Sequence, residues 1–107
     1  MESSLMVLTV SEKVYQKLHD KKRDWLCYPV TPNTHAKMAA IFQWPSRDSL
    51  PDPEQEGDVI IRSYTNRFHK CYAKCKCRIG RGSVNEGFTD DGDHFILTIT
   101  AVGPDIV

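Results

Sequence analysis

The clearest chemical pattern in the sequence is a run of cationic side chains with no carboxylate among them. Seven lysines and arginines fall between residues 62 and 81, namely Arg62, Arg67, Lys70, Lys74, Lys76, Arg78 and Arg81. Residues 68–79 have the composition of a strand, in which alternate side chains share a face. That alternation predicts a single row formed by Lys70, Tyr72, Lys74, Lys76 and Arg78.

A row of this kind suits a phosphate backbone, because each cation can neutralise one phosphate and release its counterions. The one aromatic ring in the row, that of Tyr72, can stack on a base. The sequence therefore predicts a face that binds nucleic acid or another polyanion. The alternative is an ordinary solvated sheet face, on which the lysines only block edge pairing and the acidic loops neutralise them.

The other face of the same strand carries residue types that bind zinc: His69, Cys71, Cys75 and Cys77. A straight strand spreads them too far apart to surround one ion, with ~13 Å between Cys71 and Cys75 at ~3.3 Å per residue. That distance also exceeds the roughly 7 Å that a disulfide spans between Cα atoms, and Cys27 can bridge only one of the three. We therefore predict reduced thiols that behave as small buried hydrophobes, no metal, and an intracellular, cytoplasmic protein.

A second cluster of ligand types is acidic and lies in a glycine-rich segment, at Glu86, Asp90, Asp91, Asp93 and His94. Carboxylate oxygens bind calcium or magnesium, but the order of residues here does not fit an EF-hand loop. The segment is predicted to be a polar hairpin loop that holds no metal or other cofactor.

Catalytic apparatus does not stand out in the sequence. None of the four histidines lies in a nucleophile motif, and the G-x-S-x-G, Walker and H-E-x-x-H patterns do not occur. A Cys–His pair that meets only in space stays open. The sequence favours a protein that is not an enzyme.

A second set of cations, formed by Lys21, Lys22 and Arg23, comes just before Trp25. Cations beside an indole can form a stacking site at the end of a helix. The alternative is that Trp25, like Trp44, is an anchor of the hydrophobic core.

Composition limits the class of protein. The 107 residues include 14 basic and 14 acidic side chains, which excludes a globally basic nucleic-acid binder but leaves a locally basic surface open. A 40% hydrophobic content predicts one globular domain over residues 1–107 rather than a disordered chain. No apolar run approaches the roughly 20 residues of a membrane span, and no basic segment of a secretory signal is present at the start.

The hydrophobic pattern predicts short elements of both kinds. Strands are expected at residues 5–10, 24–28, 59–64, 68–79 and 94–102, and a helix capped by Ser11 at 12–22. The remaining segments are a helical turn leading into a strand at 33–44, an acidic loop at 45–58 that ends in a Gly57-Asp58 turn, and a second loop at 80–93. We predict an α+β fold, with a small, mainly antiparallel sheet or partly open barrel and one or two short helices.

This order of elements resembles the PUA-like barrels and, among them, the ASCH domains. The matching parts are the strand at 5–10, the helix at 11–22 and the Gly57-Asp58 pair before an apolar strand. Asp20, Lys21 and Lys22 stand where an ASCH domain has its Gly-x-Lys turn, while the Glu-x-Arg that commonly follows is replaced by Arg23-Asp24-Trp25. The resemblance implies RNA or nucleotide recognition in the cleft of a barrel.

Three functions follow from these observations, and the leading one is a non-enzymatic domain that binds RNA or DNA. Lys70, Lys74, Lys76, Arg78 and Arg81 would contact phosphates, with Tyr72 and Trp25 stacking on bases. The alternative is a small inhibitor or adaptor of the kind that viruses and mobile elements encode, because the basic strand and the acidic segments 48–58 and 86–93 separate opposite charges. The third is an ASCH-like hydrolase of a nucleotide or modified base, which needs a shifted pKa at Lys21, Lys22 or Cys27.

Overall fold

A computed structural model of the chain describes residues 5–46, 49–66, 68–81 and 92–106. Its elements, in chain order, are β1 (Met6–Val10), α1 (Glu12–His19), β2 (Trp25–Pro29), α2 (Pro32–Phe42), β3 (Glu56–Ser63), β4 (Lys70–Arg81) and β5 (Asp93–Asp105). The five strands form one sheet in the order β1-β3-β4-β5-β2. Only β1 and β3 are parallel. The sheet curls into a half-barrel, so the predicted α+β class and mainly antiparallel sheet are confirmed.

Both helices contribute buried side chains to a core built on one face of the sheet. Tyr15 and Leu18 of α1 and Met38, Ile41 and Phe42 of α2 are buried together with alternate residues of the central strands. The sheet side of this core includes Val59, Ile61, Cys75, Phe95 and Leu97. Alternation in a strand sends every second side chain to the opposite face, which therefore lies outside this core.

Helix α1 is three residues shorter than predicted, and the reason is its C-terminal turn. Ser11 caps its start as expected, accepting a hydrogen bond from the Val14 N–H at 3.2 Å. At the other end the Lys22 N–H donates to the Lys17 carbonyl and the Lys21 N–H to the Leu18 carbonyl. This is a Schellman motif, which requires a left-handed residue after the helix. Lys21 fills that position with φ 61°, where glycine is favoured.

Replacing Lys21 with glycine is expected to stabilise the protein by about 0.5–1 kcal/mol. A left-handed conformation costs a residue with a Cβ about 1–2 kcal/mol, part of which the greater freedom of glycine in the unfolded chain offsets. The matched control is Lys17→Gly inside α1, which is expected to lower the free energy of unfolding by about 1 kcal/mol. Thermal or urea unfolding measures both. A destabilised K21G variant would contradict this account of the turn.

The helix predicted to begin at residue 33 is present, but the strand predicted after it within residues 33–44 is wrong, because α2 stays helical from Pro32 to Phe42. The Thr31 hydroxyl and the Thr34 hydroxyl form a capping box, which satisfies orphan N–H groups at the start of the helix. The alternation of apolar residues at even positions suggested a strand. Burial instead follows helical spacing through Met38, Ile41 and Phe42.

The predicted turn at Gly57-Asp58 is also wrong, since β3 begins at Glu56 and both residues lie within it. Gly57 is needed there for close packing. A Cβ on this residue would come within 2.8 Å of Ile41 Cγ2 and 2.9 Å of Phe42 Cδ1. The end of α2 therefore lies almost directly on the backbone of β3, and the acidic loop ends three residues earlier than predicted.

The last two strands extend further than predicted. β4 continues through Gly80 to Arg81, and β5 runs from Asp93 to Asp105, with register shifts against β4 between Cys71 and Cys75. The predicted acidic-loop residues Glu86, Asp90 and Asp91 lie outside the described residues. Among the residues that are described, no helix has the length and apolar character needed to cross a membrane.

Candidate nucleic-acid interface

The two faces of β4 separate as the sequence predicts. Cys71, Ala73, Cys75 and Cys77 are buried in the core, and the cations alternate with them on the opposite face. Burial raises the pKa of both Cys75 and Cys77 to about 12, so both are neutral thiols at physiological pH. All four cysteines are free. Two residues depart from the pattern, because Ile79 is exposed and His69 is only half-buried.

Carboxylates of β3 and of the loop before it balance the middle of the basic row. Lys74 Nζ lies 3.7 Å from Glu56 Oε1 and 3.4 Å from Asp58 Oδ1, and Lys76 Nζ lies 3.9 Å from Glu54 Oε2. Strand register places Asp58 directly opposite Lys74, and Glu56 reaches Lys74 diagonally, because its register partner is Lys76. The sequence analysis offered neutralisation by the acidic loops as the alternative to a polyanion-binding face, but it placed Glu56 and Asp58 in a loop and not on the neighbouring strand.

At the far end of the row, near the end of β4, one of the two arginines lies beside a carboxylate. Arg81 Nε lies 3.7 Å from Asp93 Oδ1. Arg78 is exposed and makes no ion pair with the residues that the structure describes. Arg67, a further predicted contact residue, lies outside the described residues.

The end of the row next to the β3–β4 connection keeps its positive charge. Arg62 pairs in register with Lys70, and Ile60 pairs with Tyr72. Arg62 donates a hydrogen bond to the Thr9 hydroxyl at 3.3 Å, and within the described part of the chain neither cation meets a carboxylate. Tyr72 is 55% exposed. It lines an open, mostly apolar hollow of about 460 Å³, whose lining also includes the ion-paired Lys74 and Asp58.

Two exposed aromatic rings that the sequence analysis did not single out stand at the same connection. Tyr64 is 65% exposed and Phe68 is 85% exposed. The connection is held by short-range hydrogen bonds, because the Ser63 hydroxyl accepts from the Thr65 and Asn66 N–H groups and the Asn66 side chain accepts from the Phe68 N–H. The sequence signal that could have identified them is a pair of aromatic residues, each two positions away from Asn66. We call the set Arg62, Tyr64, Phe68, Lys70 and Tyr72 the hairpin surface.

A cluster of polar side chains joins this connection to α1. His69 Nδ1 lies 2.5 Å from Glu12 Oε1, and the His69 ring stacks on Tyr15 with centroids 5.6 Å apart. The Tyr15 hydroxyl donates to Asp105 Oδ1, whose carboxylate also lies 3.4 Å from His19 Nε2. Burial and the contact with Asp105 raise the pKa of Tyr15 well above its usual range. Tyr15 is therefore neutral, and its ring stacks on the rings of both His19 and His69.

The cations before Trp25 lie beside β2, an edge strand two places from β4. Ala101 and Val102 line both the cleft at these cations and the hollow beside Tyr72. Lys21 and Arg23 line a cleft of about 420 Å³ with Leu18, Asp24, Ile99 and Thr100, while Lys22 is exposed. The Arg23 guanidinium lies 3.9 Å from the centre of the Trp25 ring and donates to the Trp25 carbonyl at 2.9 Å. Trp25 is half-buried, and one face of its ring is already covered by Arg23.

Among the described residues, no group of three or more histidine, cysteine, aspartate or glutamate side chains is arranged to hold a metal ion. His69 contacts Glu12 instead of the cysteines, which face the core. Comparison of the chain with protein-family models, with curated proteins and with solved structures finds no match.

Proposed function

We propose that this protein binds single-stranded nucleic acid on the hairpin surface. The observation that carries the proposal is the position of three exposed aromatic rings beside two cations that meet no carboxylate in the described structure. Proteins that bind single strands combine aromatic stacking platforms with a positively charged path for the backbone. The hairpin surface has both parts within one β-hairpin.

The exposed rings favour a single strand over a duplex. A ring stacks on a base only when the base is unstacked from its neighbours, as in a single strand or a loop. The hollow beside Tyr72 offers room next to that ring. RNA differs from DNA by its 2′-hydroxyl, which a protein can contact with polar groups. The binding experiment therefore compares RNA and DNA strands.

Ion pairing changes which cations we expect to contact phosphates. Lys74, Lys76 and Arg81 each lie within 4 Å of a carboxylate. Their net attraction for a phosphate is reduced, because a neighbouring carboxylate repels the same phosphate. Arg62 and Lys70 therefore contribute most, with Arg78 extending the path along β4.

Replacing Arg62 and Lys70 together with glutamine is expected to weaken binding at low salt by about tenfold or more. Each lost phosphate contact removes about 0.7 from the slope of log affinity against log salt concentration for a single strand, so the double variant should lose about 1.4. Fluorescence anisotropy with labelled single- and double-stranded RNA and DNA, at low and moderate salt, measures both quantities.

The matched control is Lys17→Gln with Lys37→Gln, which removes the same charge from exposed positions on the two helices. Its affinity and salt slope should stay close to those of the unmodified protein. Equal losses in the two double variants would mean that net charge alone drives binding. No binding of any form at low salt would remove the proposal.

A protein partner is the second candidate, and the ion-paired centre of β4 favours it. Charges that the protein balances itself attract a polyanion weakly, and exposed rings such as Phe68 are also typical of protein interfaces. Capture of one stoichiometric protein after nuclease treatment would support this candidate. Loss of all captured material on nuclease treatment would support the nucleic-acid proposal.

The resemblance to PUA-like and ASCH domains remains part of this proposal. The half-barrel sheet with two helices is compatible with such a fold. The left-handed residue of the turn after α1 is Lys21, the middle position of the match to Gly-x-Lys, and Asp20 at the glycine position has a negative φ. Of the three groups named for hydrolysis, Lys21 lines the cleft next to Arg23 and Lys22 and Cys27 do not, and the Glu-x-Arg is missing.

A further inference from the structure

His69 lies between the two exposed aromatic positions of the connection and the helix layer. Its backbone carbonyl accepts from the Ser63 N–H at 2.9 Å, and its N–H donates to the Asn66 carbonyl at 3.0 Å. Its ring is only half-buried, and Lys70 of the hairpin surface is its neighbour in sequence. The backbone of His69 therefore lies between Phe68 and Lys70 of the hairpin surface, while its ring faces Glu12 and Tyr15 of α1.

One side chain on α1 holds the imidazole in a defined orientation. The Nδ1 atom faces Glu12 Oε1 at 2.5 Å, so Nδ1 carries the proton that bonds the carboxylate. The Ser63 hydroxyl, the Gln16 amide and His69 itself lower the pKa of Glu12, which keeps this carboxylate ionised near neutral pH. Nε2 lies 3.5 Å from the Asn66 amide nitrogen, and it is the atom to which a further proton adds.

The other ionisable groups around this ring can be named element by element. Tyr15 of α1 stacks on it and stays neutral, and Lys70 of β4 projects to the opposite face of the sheet. Asp105 of β5 and Cys71 of β4 both lie against Tyr15. Glu12 is therefore the one carboxylate in direct contact with His69 among the described residues.

We propose that the His69–Glu12 pair is a proton switch that tightens binding of single-stranded nucleic acid to the hairpin surface as the pH falls. This inference rests on the proposed function of that surface. Histidine changes charge between about pH 5 and pH 8. The pair therefore passes from a net charge of about −1 to about 0 on protonation, which removes a repulsion for phosphates beside Arg62 and Lys70.

The experiment is anisotropy of a fluorescein-labelled single strand of thymidine nucleotides, measured from about pH 5.5 to pH 8 at constant ionic strength. The unmodified protein is expected to bind about threefold to tenfold more tightly at the acid end, the effect of one unit charge several ångströms away. His69→Gln should bind with the high-pH affinity of the unmodified protein at every pH.

Two further variants separate the pair from its surroundings. Glu12→Gln should bind more tightly than the unmodified protein at pH 8, because the carboxylate no longer repels phosphates. His19→Gln, which changes a histidine that contacts Asp105 instead, should keep the original profile. Circular dichroism across the same pH range verifies that all variants stay folded.

The outcomes distinguish this inference from the function on which it rests. A flat profile in the unmodified protein, with binding intact, would overturn the proton switch and leave the proposed function standing. A pH response that survives in His69→Gln would assign it to another group and overturn the switch. Absence of binding at every pH would remove both proposals.

Discussion

Removal of the exposed rings of Phe68 and Tyr72 is expected to weaken binding of a single strand at least about 30-fold. Stacking of one base on an aromatic side chain is worth about 1–3 kcal/mol, so two rings contribute about 2–6 kcal/mol if both are used. The Phe68→Ala, Tyr72→Ala double variant tests this by fluorescence anisotropy. The salt slope should change little, because no charge is removed.

The control for this variant is Leu50→Ala, a large apolar side chain that is 78% exposed and lies in the loop before β3. Truncation of the Leu50 side chain should leave the affinity for the single strand unchanged. Thermal unfolding should give similar midpoints for all three proteins, because exposed side chains contribute little to stability. An unchanged affinity in the double variant would show that these rings do not contact the bases.

Gly57→Ala is expected to destabilise the protein by about 1–3 kcal/mol. A Cβ at this position would lie 2.8 Å from Ile41 Cγ2 and 2.9 Å from two carbons of the Phe42 ring, all of them buried. The helix must then move or the buried side chains must leave their rotamers, which is the ordinary cost of overpacking a core. The midpoint of thermal unfolding should fall by about 5–15 °C.

Gly103→Ala is the matched control, because the nearest atom to its added Cβ is the Tyr72 carbonyl oxygen at 3.4 Å, an ordinary contact. Its stability should change by no more than about 0.5 kcal/mol. If Gly57→Ala were as stable as Gly103→Ala, α2 would not lie directly on β3. The start of β3, and with it the ion pairs of Glu56 and Asp58, would then need another explanation.

Local pattern was sufficient to predict most strands and the class of the fold. Period-2 alternation of small apolar and basic residues gave the two faces of β4 correctly. Ser11 marked the start of α1 as a capping residue should. These features depend on neighbours in sequence, which is why they can be recognised without a structure.

The predictions failed where packing between segments far apart in the sequence determines the local structure. Gly57 is typical of a turn, yet here its small size admits α2 against β3. Lys21 looks like an ordinary helical residue, but it takes the left-handed position that ends α1. Apolar residues at alternate positions of α2 suggested a strand. In a short segment rich in alanine, the spacing of apolar residues fits a helix and a strand equally well.

The candidate site was located by sequence only in part. The row on β4 was predicted, and neutralisation by acidic loops was the stated alternative, but the register with β3 that brings Asp58 beside Lys74 was not predicted. Tyr64 and Phe68 belong to the connection, where exposure depends on the turn conformation. The contact of His69 with Glu12 joins residues 57 positions apart, a separation that no local pattern can reveal.

The central claim is that the hairpin surface is the binding site, and an NMR titration tests it most directly. A labelled protein is mixed with increasing amounts of an unlabelled single strand, and backbone amide shifts are followed residue by residue. The account predicts that the largest shifts fall at residues 62–66 and 68–72. Shifts confined to the cleft beside Lys21 and Arg23, or no shifts at low salt, would contradict it.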